Sequence, residues 1–414
     1  QMGILSSATL RQSLVTTAST VVNGVLGAIF YFLLARLLGS HDNGAFSVAA
    51  TLIAMIAGIV DFGTDQGLVK FVPKHKFNSS SQHAIIKLSL KIKILAGIFT
   101  ALILISQSSY LSQNILNKPE LVYLFPLVAA GILFQNLFSF SVTLSQALER
   151  FFLWGGLFIS TNLTRLILIG VIFGMGRLNG YTSVLIYILM PLLGFVLSLA
   201  FFDRKFLFAK NENKYLPEIL GFNKWVSAFV VVAAIGSRLD IFYTTRFLSL
   251  SAVGVYGLAL QITSILPQLT NAIGAVTTPK LSSFTSIEQN TKYVAKAVTL
   301  TSIVAVFSLI ILVPLGWFML NLTGHDFSTG FIPYLILLCS VAIFLINSPV
   351  RDSIIYFFGK PKFFFWLGLI HVIVISLLSW LLIPRFDILG SALTVLLGQI
   401  VIEFSSIIYF LFQK

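Results

Sequence analysis

Residues 203–224 read DRKFLFAKNENKYLPEILGFNK, the longest polar break in the chain. Apolar stretches of membrane length fill the sequence on both sides of it. Six precede it, at 13–38, 46–69, 85–106, 121–147, 151–174 and 181–202. Six follow, at 225–248, 252–278, 294–320, 331–350, 363–384 and 388–412. A helix needs about 20 apolar residues to cross hydrocarbon, so twelve such helices use most of the chain. The break carries charge, Pro217 and Gly221, and falls at the midpoint of the 414 residues. It reads as a cytoplasmic linker between an N-terminal six-helix bundle, 1–202, and a C-terminal one, 225–414. Part of the linker is expected to lie on the membrane as an amphipathic segment.

Composition points the same way. Hydrophobic residues make up 57% and charged residues 10%, against roughly 25% charged in an ordinary soluble domain. Phe alone occurs 39 times, and the mean hydropathy is +0.96. An all-α integral membrane protein follows. The single cysteine, Cys339, excludes a disulfide framework. The five histidines are scattered without zinc-site spacing, so neither a metal nor a cofactor is expected. The net charge of +13 sets topology rather than attracting nucleic acid. With the N-terminus cytoplasmic, 20 of the Lys and Arg fall on the inner side, among them Lys87, Lys91, Lys93 and Arg351. Only Arg36, Lys118, Arg177, Arg246 and Arg385 fall on the outer side. That bias predicts an even number of spans and two cytoplasmic termini, in an inner or plasma membrane. Trp154, Trp225, Trp317, Trp366 and Trp380 sit near span ends, as an interfacial belt does. The first apolar stretch is of full membrane length, so no cleavable leader is expected.

The halves resemble each other. A shift of 210 pairs Arg36 with Arg246, Leu38 with Leu248, Gly44 with Gly254, Phe46 with Tyr256, Ala49 with Ala259 and Lys70 with Lys280. A shift of 212 pairs RFFLWGG (150–156) with KFFFWLG (362–368). Six spans separate equivalent positions, so both halves run the same way through the bilayer. Parallel repeats of this kind pack as two bundles around a central cavity and alternate access by rocking, which makes a transporter the leading functional class.

Charges inside spans are costly, at about 2.5–3.5 kcal/mol or more each. Those shared by the halves lie at span ends and read as structural. The deeper ones break the repeat: the 210 shift takes Asp61 to Asn271, Arg238 to Ala28 and Asp240 to Phe30. Asp61 and Asp65, four apart on the second span, share a helix face and suit a proton or cation site. Arg165 and Arg238 lie near mid-membrane, where a guanidinium fork fits phosphate oxygens. The structural alternative pairs Arg238 with Asp61 and Arg165 with Glu403. Glu403 is a further candidate for ion coupling, as is Asp240. Pro126, Pro191, Pro267, Pro314, Pro333 and Pro349 fall inside spans and offer kinks or hinges.

The run FLLARLLGSHDNGAFSVAATLIAMIAGIVDFGTDQGLVKFVP (32–73) resembles the opening of polysaccharide flippases of the O-antigen transporter type. RLDIFYTTRFLSLSAVGVYGLAL (238–260) resembles the start of that family's second half, and LLIPRFDILGSALTVLLGQ (381–399) a later signature. These flippases belong to the multidrug/oligosaccharidyl-lipid/polysaccharide exporter superfamily. The resemblance implies alternating-access export of a saccharide on polyprenyl pyrophosphate, with membrane lipids and polysaccharide-assembly proteins as partners. Asp61 and Asp240 match family positions, whereas Arg165 and Arg238 come from the charge reading alone. A monomer is expected.

Two other classes stand beside this one. A small-solute or drug exporter on the same fold would have a cavity without arginine. A membrane glycosyltransferase or polymerase would need acids and bases at a water-facing site. The loops expected outside are short: GSHDNGA, the stretch around 107–120, GRLNG, SLSAV, NLTGHDFSTG and PRFD. Their acid–histidine neighbours, His41-Asp42 and His325-Asp326, read as solvated loop residues.

Overall fold

The computed structural model describes residues 7–210 and 212–413, and the side chains of Arg11, Lys224 and Trp225 lie outside the described residues. All regular structure described is helical. In hydrocarbon every backbone N–H and C=O needs an internal partner, and a helix supplies it within one segment. In chain order the main helices are α1 (Ser7–Val60), α2 (Thr64–Lys74), α3 (Ser79–Ser106), α4 (Phe125–Ala147), α5 (Phe151–Gly174), α6 (Gly180–Ser198) and α7 (Leu216–Gly236). Then come α8 (Leu239–Phe247), α9 (Leu250–Thr263), α10 (Ile265–Ser283), α11 (Ile287–Thr323), α12 (Phe331–Ile346), α13 (Ser348–Asp352) and α14 (Pro361–Phe412).

Among the described residues, nine helical segments are long and apolar enough to cross a membrane, ten with the bent pair Phe331–Ile346 and Ser348–Phe357. Two of the nine, Ala18–Val60 and Lys362–Phe412, run to 43 and 51 residues. At 1.5 Å per residue these are about 65 and 75 Å, twice the hydrocarbon thickness. Each is broken by one residue off the helical dihedrals: Gly39 at φ 76° and Asp387 at φ 50°. Pro384, three residues before Asp387, has no N–H for the helical ladder there.

The sequence placed a loop at GSHDNGA. The structure instead turns at Gly39 alone and resumes helix at Ser40. Tertiary partners take the polar groups: Ser40 donates to Asp326 at 2.8 Å, and Asn43 to the Gly254 carbonyl at 2.8 Å. The proline expectations separate in the same way. Pro191 and Pro314 lie inside helices, whereas Pro126 and Pro349 occupy the first turn, where a missing N–H costs nothing. The bend between α12 and α13 falls beside Pro349 and measures 43°.

The chain forms two compact units. One holds the described residues up to Phe30 together with Ala49–Ile235; the other holds Tyr31–Val48 and the residues from Gly236 onward. In the first, α3 packs on α4 and α4 on α6. Its core gathers Leu68, Phe71, Ile85, Phe140, Leu144 and Phe206. Phe206 comes from the midpoint break. In that break residues 204–208 and 212–215 form two short 3₁₀ turns, and helix α7 begins at Leu216, before its end. They are tied to α3. Lys87 donates to the Ala209 carbonyl at 2.7 Å, Lys87 and Lys91 pair with Glu212 at 3.5 and 3.6 Å, and Tyr215 donates to Ser81 at 2.7 Å.

In the second unit, segment 31–48 lies against α9 through glycines. A Cβ at Gly44 would stand 1.9 Å from the Leu250 carbonyl oxygen, and one at Gly254 would stand 2.0 Å from that of Ser40. The 210 shift equates Ser40 with Leu250 and Gly44 with Gly254, so the contact is reciprocal, as an isologous interface is. Elsewhere in this unit Leu281, Val294, Phe364, Leu367 and Phe410 pack into a core.

Candidate functional site

Asp61, Phe62 and Gly63 form a turn between α1 and α2, with Phe62 at φ 45° and Gly63 at φ 72°. Glycine takes that left-handed conformation without cost, whereas Phe62 stores strain there. Asp61 and Asp65 therefore do not share one continuous helix face, as the spacing implied. A third residue brings them together. Lys93 on α3 is fully buried and donates to Asp61 Oδ1, while its Nζ lies 3.1 Å from Asp65 Oδ1. Thr64 donates to the same Asp61 oxygen at 2.7 Å, and Ser139 on α4 donates to Asp65 Oδ2 at 2.5 Å. One ammonium thus serves two carboxylates, leaving one formal negative charge. The sequence reading assigned Lys93 to the inner loops; it is a buried counterion instead. Its position inside the 85–106 stretch was the signal available.

Arg165 sits on α5, half-buried. It donates to Asn162 Oδ1 at 3.1 Å and to the Tyr187 carbonyl at 3.2 Å, and its guanidinium lies 4.5 Å from the Tyr187 ring centroid. Its Nε has no hydrogen-bond partner among the described residues. The alternative pairing with Glu403 does not form; the amide, carbonyl and ring around Arg165 leave its charge uncancelled.

Arg238 falls at a break between α7 and α8, at the cap position of α8, rather than within a continuous helix. The span Ala228–Phe247 runs through this break, with Arg238 near its middle. Asp61 takes Lys93, not Arg238. Two residues on, Asp240 is 3% exposed and accepts from the Tyr256 hydroxyl at 2.6 Å. Thr244, one turn further, donates to Ser391 at 2.7 Å.

Glu403, 2% exposed on α14, accepts four hydrogen bonds from three residues. Arg351 and Asn347 bond its two carboxylate oxygens, and Gln399 donates to Oε1 at 2.5 Å. Asn347 also reaches the Glu403 backbone carbonyl at 3.4 Å. Arg351 also donates through Nη2 to the Phe344 carbonyl at 3.0 Å, and its guanidinium lies 3.7 Å from the Phe344 ring centroid. A buried pair saturated in this way avoids the large penalty of an isolated charge. Arg351, placed in a loop by the sequence reading, lies in helix α13, just past the bend from α12. Beside it, Asp352 accepts from Thr277 at 3.0 Å.

Helices of membrane length in two compact units define a multi-pass membrane protein. The chain belongs to the polysaccharide biosynthesis protein family, which it matches over residues 9–285. It is 21% identical over 378 residues to a candidate O-antigen transporter of Shigella flexneri, covering 87% of this chain and 88% of that one. An uncharacterised membrane protein of Methanocaldococcus jannaschii is 23% identical over 391 residues, 87% of this chain and 75% of that one. Among solved structures, the fold matches the lipid II flippase MurJ in an inward closed conformation. There the TM-score is 0.77 at 15% identity, over 97% of this chain and 87% of that one. An inward-facing multidrug resistance transporter of the MATE family, within the MOP superfamily, gives 0.72 at 12%, over 97% and 98%. The family and these neighbours are transporters and flippases, not enzymes.

Proposed function

We propose that the protein carries a polyprenyl-pyrophosphate-linked oligosaccharide from the cytoplasmic to the outer leaflet by alternating access. The observation that carries the reading is the pattern of charge compensation. The carboxylates of the site have their own partners: Asp61 and Asp65 share Lys93, Glu403 has Arg351, and Asp240 has the Tyr256 hydroxyl. Arg165 and Arg238 hold no carboxylate within ion-pair distance among the described residues. Arg165 is thus a mid-span cation with no internal counterion, while Arg238 feels only the charge of Asp240 two residues on, beyond ion-pair distance; mid-span cations compensated so weakly suit a substrate that brings its own negative charge. A pyrophosphate does so, and a guanidinium fork meets its oxygens in pairs. The family and the likeness to a lipid II flippase support the same substrate class.

The Asp61–Lys93–Asp65 cluster is the proposed coupling site. Its second carboxylate leaves room for a proton or Na⁺ to take over part of the role of Lys93, and the adjoining turn at 61–63 gives α2 freedom to respond. Asp240 and Glu403 are proposed as supporting positions. Twelve crossings follow if α1 and α14 each cross twice, at their breaks. The repeat supports halves of 1–202 and 225–414 joined by the 203–224 linker, with both termini cytoplasmic and the chain acting as a monomer.

The test is complementation of a flippase-deficient strain. Arg238→Ala should abolish export while membrane abundance stays near normal, and Arg238→Lys should restore it only partly, since the charge survives but the fork does not. Loss of a charge-assisted contact of about 1.5–3 kcal/mol weakens binding roughly 10–150-fold. Normal export by Arg238→Ala would refute the assignment. Wild-type export of a small dye with no saccharide export would favour the drug-exporter reading.

A further inference from the structure

At the start of α14 a cleft of about 480 Å³ is lined by Gly359, Lys360, Lys362, Phe363, Trp366 and Tyr409. It lies apart from the charged clusters described above. Gly359, at φ 63°, lets the chain reverse out of the π-helical turn Ser353–Phe357, and the Lys360 N–H closes on the Ile354 carbonyl at 3.1 Å. The reversal sets two lysines at the mouth. The wall is aromatic and rigid: Phe363 stacks on Tyr409 with centroids 4.1 Å apart and planes 18° apart. Trp366 is 59% exposed, as a ring seated at a membrane interface is.

Two further observations give the cleft a direction. Its end of the unit is where Leu281, Val294, Phe364 and Phe410 pack, so Lys280 and Lys296 belong to the same end and add to its positive field, while Lys292 there is paired with Glu288 at 2.5 Å. From Trp366 a stripe of exposed apolar side chains runs along α14 through Ile370, Ile373, Leu377 and Leu381. Fifteen residues at 1.5 Å carry that stripe about 22 Å into hydrocarbon. A cationic mouth on an aromatic wall, continued by an apolar track, has the form of an anionic amphiphile: a phosphate at the interface and a chain alongside the helix.

We propose that this cleft binds the phosphate headgroup of an anionic lipid at the lysine-rich face of the membrane, a site independent of the span arginines and of the flippase reading. The phosphate has two sources, a bulk phospholipid or a polyprenyl diphosphate, and the experiment separates them.

The full chain, purified in neutral detergent, is titrated with phosphatidylglycerol, phosphatidylcholine or undecaprenyl diphosphate, and retained lipid is read by native mass spectrometry. Phosphatidylglycerol should be retained in preference to phosphatidylcholine. Lys360→Gln/Lys362→Gln should weaken that retention roughly thirtyfold, the equivalent of about 1 kcal/mol per lysine near an anionic surface. Lys360→Arg/Lys362→Arg should keep it, and both double variants should melt with the wild type because the lysines are exposed. If undecaprenyl diphosphate displaces phosphatidylglycerol at equal concentration, the diphosphate lipid is the preferred occupant; if it does not, the occupant is the phospholipid. No preference for phosphatidylglycerol in the wild type, or equal retention by the glutamine variant, would overturn the proposal.

Discussion

Replacing Lys93 with methionine keeps an unbranched chain one atom shorter and deletes the charge together with its N–H donors. In the wild type the ammonium is fully buried, and its partners Asp61 and Asp65 have side chains 10% and 23% exposed. Without it, two carboxylates face each other with only Thr64 and Ser139 as donors. Removing one partner of a buried pair costs about 3–5 kcal/mol, because the remaining charge is left uncompensated. For a unit of this size that lowers the melting temperature by on the order of 10 °C. The formal charges set a rank order. Asp61→Asn leaves one ammonium with one carboxylate and should be mild. Lys93→Met/Asp61→Asn leaves a lone Asp65 and should be intermediate. Lys93→Met leaves two carboxylates and should be worst. Thermal unfolding of the detergent-solubilised variants, followed by tryptophan fluorescence, gives the order. If Lys93→Met melts with the wild type, or Asp61→Asn is the more damaging change, Lys93 is not the counterion of this cluster.

Two other outcomes follow from single contacts. Gly44→Ala places a methyl group 1.9 Å from the Leu250 carbonyl oxygen, so segment 31–48 must move away from α9; a cysteine pair engineered across this contact should crosslink in the wild-type background and fail to do so with Gly44→Ala. Glu212 is held below the ordinary carboxylate range by its own backbone N–H and then by Lys87 and Lys91. Its folded pKa is depressed, so its stabilisation of the 203–215 segment is present above its unfolded value of about 4.3 and lost as pH falls through the folded value. Hydrogen-exchange protection around Glu212, taken relative to the intrinsic rate at each pH, should therefore be flat from neutral pH to about 5 and fall in stronger acid, and Glu212→Gln should abolish that acid transition.

Much of this architecture is legible in the residues. Hydropathy locates the spans because the bilayer demands about 20 apolar residues per crossing regardless of partners. The corners are less legible. Residues 40–43 look like a loop by composition, yet they lie in helix, with Asp326 accepting from Ser40 and the Gly254 carbonyl from Asn43 across distant sequence. The site divides in the same way. Asp61, Asp65, Asp240 and Glu403 stand out because an acid in an apolar stretch is conspicuous. Lys93 and Arg351 were absorbed into the inner-side charge count, which treats any cation near a span end as topological. Only tertiary packing distinguishes a snorkelling lysine from a buried counterion. Tyr256, Asn347 and Gln399 carry no sequence signal, since a polar neutral residue in a span acquires its role from the partner it meets.

The most direct measurement is transbilayer movement of a labelled polyprenyl-pyrophosphate-linked oligosaccharide in proteoliposomes holding the purified full chain, with label on the far leaflet read by an impermeant enzyme. Wild-type protein should move the lipid at a rate well above that of empty vesicles, and Arg238→Ala, reconstituted to equal density, should fall to the empty-vesicle rate. Wild-type vesicles that move the lipid no faster than empty ones would contradict the flippase reading.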